Sequence, residues 1–412
     1  MNNDQEMNIL VFNCGSSSLN YRVYRCHGLE DRRVVITGKA SRVGVTGTEP
    51  SSIRTVCSEE IEENIVPLNN HRAAASLVLR YIANHDIRVD YIGHRFVHGG
   101  SYFDQSVFVN EQTLSTLNLC QPLAPIHNPN SLSVIDECGR SVPNVQQYVT
   151  FDSAFHSSIP ELVYSYALPK KIIKRFGFRK YGFHGLSYSY VVSEAARYLR
   201  TPLEYLRIVA CHLGTGGSSV AAITNGHSID TSMGYTPLPG LVMSTRCGDL
   251  DPMLAVYLMA AYGYRSEDLV ELFSKKSGLL GISGFSSDIT DIITSLGGEE
   301  KEQAELALNM YVHRLRKYIG SYVVALGGIN TLIFTDDIGV RSPEVRARVC
   351  ENMEWCGIRL DKTLNLRADP NGIFSLNSTH SKTRILSIPT NEELVICTEG
   401  IKLIGKNHDT HR

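Results

Sequence analysis

Phe12-Asn13-Cys14-Gly15-Ser16-Ser17-Ser18-Leu19 in the first half of the chain and Cys211-His212-Leu213-Gly214-Thr215-Gly216-Gly217-Ser218-Ser219 in the second are built alike. Each is a run of small residues between strand-like segments. Asn8-Ile9-Leu10-Val11 precedes the first and Tyr21-Arg22-Val23-Tyr24 follows it, while Arg207-Ile208-Val209-Ala210 and Val220-Ala221-Ala222-Ile223 flank the second. A turn of Gly and Ser brings backbone N–H groups and hydroxyls within reach of an anion, because no longer side chain holds the ligand off. One such turn alone is more often an ordinary tight β-turn. Two in matching settings point to a phosphate clamp made of duplicated halves.

Composition sets the bounds. The 412 residues suffice for two or three domains, and 43% hydrophobic with 20% charged is ordinary for a globular protein. A net charge of -2 gives no global field toward nucleic acid or membrane, so an anion site has to come from local Arg and backbone groups. No apolar run is long enough to span a bilayer. The polar start Met1-Asn2-Asn3-Asp4-Gln5-Glu6 lacks the features of a signal peptide. The ten Cys have neither C-x-x-C pairs nor zinc spacing and read as scattered free thiols of a cytoplasmic protein.

Strand-like runs at Val34–Thr37, Tyr91–Gly93 and Tyr148–Phe151 alternate with helical patterns, of which 71–85 is the clearest, so the class is α/β. A second series starts near Arg207. Asp251-Pro252 suits a helix N-cap and first residue, and apolar residues at 308, 312, 315, 319, 323 and 326 predict a long helix from Glu302 to Leu326, stopped by Gly327-Gly328. Thr331–Phe334 predicts a further strand. Without a low-complexity linker, the halves are expected to pack across a cleft that holds the ligand.

Polar groups cluster after strands: His94-Arg95-Phe96-Val97-His98-Gly99-Gly100, Ala124-Pro125-Ile126-His127-Asn128-Pro129, Phe151-Asp152, Tyr181-Gly182-Phe183-His184-Gly185 and Ser244-Thr245-Arg246-Cys247-Gly248-Asp249. Singly, each His has a plain reading as a loop-fixing donor and each Arg as a surface ion pair. Together they are the parts of phosphoryl transfer: guanidiniums for the equatorial oxygens, imidazole donors, and an acid for magnesium.

With Asn13–Leu19, Asp230-Thr231-Ser232-Met233-Gly234, Gly240–Met243, Ser277–Gly281 and Thr390-Asn391-Glu392-Glu393-Leu394 added, the chain resembles the acetate kinases almost from end to end. The resemblance implies the sugar-kinase and actin superfamily: a duplicated actin-like, ribonuclease H-like α/β fold of two domains around a central interdomain cleft. The implied domains are 1–154 plus 392–412, and 155–391. It also implies a homodimer, with acetate or acetyl phosphate and a phosphate donor as ligands. In the implied roles Arg95 and Arg246 grip the carboxylate and the phosphoryl group, for which the guanidinium fork is suited. His184 and His127 assist. Asp152 and Glu392 hold magnesium through water, with manganese as an alternative, and Asn13 orients that shell. Thr390 to Glu393 fits a capping box, which leaves Glu392 for the metal. Asn13, Ser16, Ser18, His212, Gly214, Thr215 and Gly216 would bind phosphate. Val97, Ile126, Phe183 and Pro237 would receive the methyl group, a pocket that separates acetate from propionate only weakly.

The chain departs from the family on the donor side. Asn20 stands for its usual Lys, Thr215 for the Asn of its His-Leu-Gly-Asn-Gly motif, and Asp336-Asp337-Ile338-Gly339-Val340-Arg341 for its Gly-Gly-Ile-Gly-Glu-Asn nucleotide loop. Asp336 and Asp337 would take up adenosine space, and a carboxylate about 7 Å from a phosphate costs roughly 2 kcal/mol at an effective dielectric near 20. The wording at 94–103, 183–188 and 210–217 resembles the pyrophosphate-linked acetate kinases, which exchange acetyl phosphate plus phosphate with acetate plus pyrophosphate. Arg22, on the same strand face as Asn20, would then replace the missing Lys. The alternatives are an ATP-dependent acetate or propionate kinase and, from another class, an actin-like ligand-binding protein without catalysis.

Overall fold

A computed structural model describes residues 6–410 apart from 46, 48, 58 and 59. The polar start at 1–5 and the pair 411–412 therefore lie outside the described residues. The chain divides into two compact units: residues up to Ala154 together with those from Asn391 onward, and Phe155–Thr390.

The first unit is built on strands β1 (Met7–Cys14), β2 (Ser18–His27), β3 (Asp31–Ser41), β4 (Ser52–Cys57), β5 (Glu60–Ile65), β6 (Tyr91–Phe96), β7 (Val107–Phe108) and β8 (Gln146–Phe151), in sheet order 5-4-3-2-1-6-8-7. The second carries β9 (Arg207–Gly214), β10 (Gly217–Thr224), β11 (His227–Thr231), β12 (Thr331–Thr335), β13 (Phe374–Ser375) and β14 (Arg384–Ser387), in order 11-10-9-12-14-13. The two sheets share one plan. A leading strand (β1 or β9) pairs antiparallel with the next strand and parallel with a later one (β6 or β12), which is itself parallel to β8 or β14. The duplication inferred from the two small-residue turns is thus present in the topology.

Leading strands at the middle of a sheet are covered on both faces, which explains their unbroken apolar runs. Ile9–Phe12 and Ile208–Cys211 are fully buried. In the first unit the helix His71–Asn84, capped by Asn70 on the Ala73 N–H, lays Ala74, Ala75, Val78, Leu79 and Ile82 against Leu10, Phe12, Leu19 and Val23. In the second, the long helix runs Lys301–Ala325, with Leu326 as its C-cap. Its Leu308, Val312, Leu315 and Ile319 pack on Val209, Cys211 and Leu332, each such side chain worth about 1.5–3 kcal/mol when removed from water. Gly327 and Gly328 follow at φ +63° and +99°, which ends the helix without a steric penalty.

Asp251 does cap the helix Pro252–Tyr262, accepting from the Met253 N–H. That helix is apolar throughout yet buries no residue, with Met253 60%, Tyr257 59% and Tyr262 65% exposed. The final helix, Glu392–Thr410, packs on β1, β2, β6 and β8. Its seat is Tyr148, whose hydroxyl donates to the Ile396 carbonyl while the ring lies where a Cβ on Gly93 or Gly400 would have to sit. All ten Cys are free thiols, and among the described residues no helix is long and apolar enough to cross a membrane.

Candidate active site

In the first unit the polar groups gather at the carboxyl ends of β1, β6 and β8, the edge at which α/β sheets bind ligands. Arg95, next to last in β6, is held by Asp152, the residue after β8. Its Nε donates to both carboxylate oxygens at 3.1 Å and its Nη2 to Oδ2 at 2.6 Å. Nη1 donates to Asn13 Oδ1 at 3.0 Å and lies 3.3 Å from Glu392 Oε2. Burial works to lower the Arg95 pKa, but Asp152 and Glu392 outweigh it and the guanidinium is held above its ordinary range.

Asn13 closes the network by donating through Nδ2 to Glu392 and Glu393, each at 3.0 Å. This corrects the assignment of Glu393 to a capping box. The final helix begins at Glu392, so Asn391 is its cap and accepts from the Leu394 N–H, while Thr390 Oγ1 is buried without a hydrogen-bond partner. Both glutamates therefore face Asn13. Arg22 donates to Asn391 Oδ1 at 2.8 Å and lies 3.9 Å from Glu393, so it is tied to this helix start. It also lines a depression of about 410 Å³ with Asn20, Lys39, Arg54, Glu63 and Glu393. Reading along the chain missed Lys39 and Arg54. Only sheet register reveals them, because Lys39 stands directly opposite Asn20, and Arg54 opposite Lys39.

The first small-residue turn is Gly15–Ser18, closed by the Gly15 N–H on the Ser18 carbonyl at 2.8 Å. Ser18 Oγ lies 2.6 Å from where a Gly15 Cβ would be, so a side chain there would have to turn the Ser18 hydroxyl aside, and Ser16 is exposed. His127 is the half-buried N-cap of the helix Asn128–Ser141, Val97 is buried and Ile126 is 46% exposed.

In the second unit the turn is tighter, Thr215-Gly216 between paired Gly214 and Gly217. His184, at φ +60° just before the helix Gly185–Leu199, accepts or donates at Nδ1 to Ser219 Oγ at 2.8 Å, and its ring stacks on His212 at 4.0 Å. His212 Nδ1 pairs with Ser187 Oγ at 2.9 Å. Arg246 donates to the Gly216 carbonyl at 3.2 Å and the Pro237 carbonyl at 3.3 Å. Burial lowers its pKa, and it forms no ion pair among the described residues. Gly217 stands beside it at φ +156°, and a Cβ there would press on Nη1 at 2.9 Å. Phe183 is buried and Pro237 half-buried in the same unit.

The segment from Asp336 differs from expectation. Asp336–Arg341 is a short helix, not a loop, and the Asp336 carboxylate lies against the end of β9: Oδ2 is 3.1 Å from His212 Nε2. Asp337 accepts from the Thr215 hydroxyl at 3.3 Å. Nothing in the local sequence announces either contact.

Comparison with known proteins agrees with the resemblance. The model of the acetokinase family matches residues 8–398. The acetate kinase of Dictyoglomus thermophilum is 41% identical over 411 residues, covering 97% of this chain and all of the relative, and that of Alkaliphilus metalliredigens is 41% identical over 409. Among solved structures, acetate kinase from Entamoeba histolytica is 40% identical with a TM-score of 0.87, covering 97% of this chain and all of its own. A propionate kinase from Francisella tularensis is 32% identical with a TM-score of 0.86, covering 95% of this chain and 98% of its own. With the family model and these relatives matching nearly the whole length, the chain belongs to the acetokinase family.

Proposed function

We propose that the protein transfers a phosphoryl group between a phosphate donor and the carboxylate of a short fatty acid, acetate before propionate. The observation that carries this reading is Arg246: a half-buried guanidinium with no ion pair among the described residues, beside a Gly-rich turn and a stacked imidazole. Such a group neutralises charge on a phosphoryl unit in transit. His184 donates to the same unit, and His127 assists. Arg95, its Nε and Nη2 engaged by Asp152 and its Nη1 by Asn13, contributes positive charge toward the carboxylate. The residues that the family resemblance assigns to the methyl group are Val97 and Ile126 in the first unit and Phe183 and Pro237 in the second. The test is hydroxamate trapping of acetyl phosphate by the wild type and Arg246→Ala. An Arg246→Ala protein as active as the wild type overturns the role given to Arg246, whereas a folded wild type that forms no acetyl phosphate favours ligand binding without catalysis.

Magnesium suits the oxygen donors of Asp152 and Glu392, and the three carboxylates around Arg95 and Arg22 leave an excess of negative charge for a dication. Among the described residues no three acids, His or Cys converge to chelate it directly. It would therefore be held through water, with Asn13 orienting the shell. When bound, it neutralises the donor's phosphate oxygens.

For the donor, the relatives favour a nucleoside triphosphate: they carry the plain name acetate kinase, and a propionate kinase is among the structural neighbours. A second reading, pyrophosphate with phosphate as the product pair, is favoured by one observation, Asp336 and Asp337 crowding the turn. Coupled assays with ATP and with pyrophosphate separate them, since turnover with only one donor removes the other reading. A homodimer is supported by the exposed apolar helix Pro252–Tyr262. Sedimentation of Tyr257→Glu tests it, and an unchanged dimer would move the interface elsewhere.

A further inference from the structure

We propose that Asp336 is a protein-supplied anion seated on the β9–β10 turn, which a phosphate has to displace, and that Arg346 positions it there. The inference deepens the phosphoryl-transfer reading of this turn and rests on it. A Cβ built on Gly214 would lie 2.0 Å from Asp336 Oδ2. The carboxylate therefore occupies the space that the missing side chain leaves open, the space in which a Gly-rich turn receives an oxyanion. His212 supplies the donor. With Nδ1 paired to Ser187, its Nε2–H points to Asp336 Oδ2 at 3.1 Å, as it would to a phosphate oxygen.

The seat is imposed rather than relaxed. Asp336 has φ +64°, a left-handed conformation that an L side chain adopts only when its surroundings hold it. The holding comes from the far end of the same short helix. Arg346 is 1% exposed and pairs with no carboxylate among the described residues. Its Nη1 donates to the Gly339 and Val340 carbonyls, both at 2.8 Å, while Nε and Nη2 donate to Asn365 Oδ1 at 2.7 Å and its carbonyl at 3.0 Å. A buried cation on the last carbonyls of a helix fixes that end. Asp336 is thus held over the turn by His212 at one end of its segment and by Arg346 at the other.

The consequence is selectivity. Two anions cannot share one imidazole N–H, so each phosphate binds only at the cost of expelling the carboxylate. The test is calorimetric titration of the full-length protein with inorganic phosphate and with pyrophosphate, which needs no turnover and so stands apart from the activity that tests the proposed function. Asp336→Asn should bind phosphate roughly tenfold or more tightly than wild type. In assays it should lower the KM for the phosphate donor while leaving that for acetate unchanged. Arg346→Met should tighten phosphate binding in the wild type but add nothing in the Asp336→Asn background. Unchanged or weaker phosphate binding by Asp336→Asn overturns the proposal. Equal tightening by Arg346→Met in both backgrounds removes Arg346 from it. Should Arg346→Met not fold, Asp336→Gly, which relieves the left-handed strain, gives the second arm and should tighten binding at least as much as Asn.

Discussion

Replacing Asp152 by Asn takes the carboxylate from beneath Arg95 while preserving shape. Asp152 is fully buried and its Oδ2 lies 2.6 Å from Nη2, so the gross attraction at an effective dielectric near 20 is about 6 kcal/mol. Desolvation consumes much of this. Stripping one partner from a buried pair costs about 3–5 kcal/mol because the other charge is stranded. Here Glu392, 3.3 Å from Nη1, still shares the guanidinium, which places the cost near the low end, about 3 kcal/mol. For a unit of this size that corresponds to a melting temperature lower by roughly 6–12 °C. Circular dichroism melts and urea titrations of Asp152→Asn, Arg95→Met and the double variant measure it. The double variant should lose less than the sum of the two single losses, since Asp152 and Arg95 are no longer stranded by each other and only Glu392 lacks its cation. Additive losses, or a single-variant loss below about 0.5 kcal/mol, would refute the claim that Asp152 and Arg95 act as one buried unit.

Arg246→Ala should behave oppositely: with no ion pair to break, its melting temperature should stay within about 2 °C of wild type, while kcat falls by roughly a thousandfold or more, read by acetyl phosphate formation. Burial, aided by nearby Lys180, pushes His156 down to about 4, its ring held neutral between Ser228 Oγ and the Phe183 carbonyl. The unfolded chain therefore takes up this proton first as pH falls below about 6.5, and stability is lost from there toward pH 4, by about 2 kcal/mol between pH 7 and 5. His156→Gln should flatten the urea-derived slope across that interval, with the remainder carried by His94, also pushed down to about 4 by burial. Gly400→Ala would set a Cβ 2.2 Å from Tyr148 Cζ, an overpacking worth about 1–3 kcal/mol. Amide exchange in the final helix should quicken and activity fall, because that helix carries Glu392 and Glu393.

The fold was legible where local pattern and burial coincide. Leading strands read as strands because both faces are covered, and the Glu302–Leu326 spacing traced a helix whose ends the structure moves by one residue. The two turns looked like twins in composition, yet one spans four residues and the other two, since strand register and not residue type sets the length. The capping box failed for a similar reason: Thr390-x-x-Glu393 has the right residues, but the helix starts one position later. Glu393 then answers to Asn13, 380 residues away, which no window of sequence can see. Asp336 on His212 and Arg346 beneath Gly339 were likewise hidden, because each is defined by what lies opposite it in space.

The final helix is translated after every residue of the second unit, although its side chains complete the first. A nascent chain still on the ribosome can assemble β1 to β8 with Arg95 and Asp152 in place, yet it lacks Glu392, Glu393 and the backbone that rests on Tyr148. Domains that fold in order of synthesis usually finish the leading one first. Here the leading one must wait, so a prematurely terminated product keeps an unsealed sheet and an incomplete acidic cluster, exposing it to proteolytic disposal before it can bind anything.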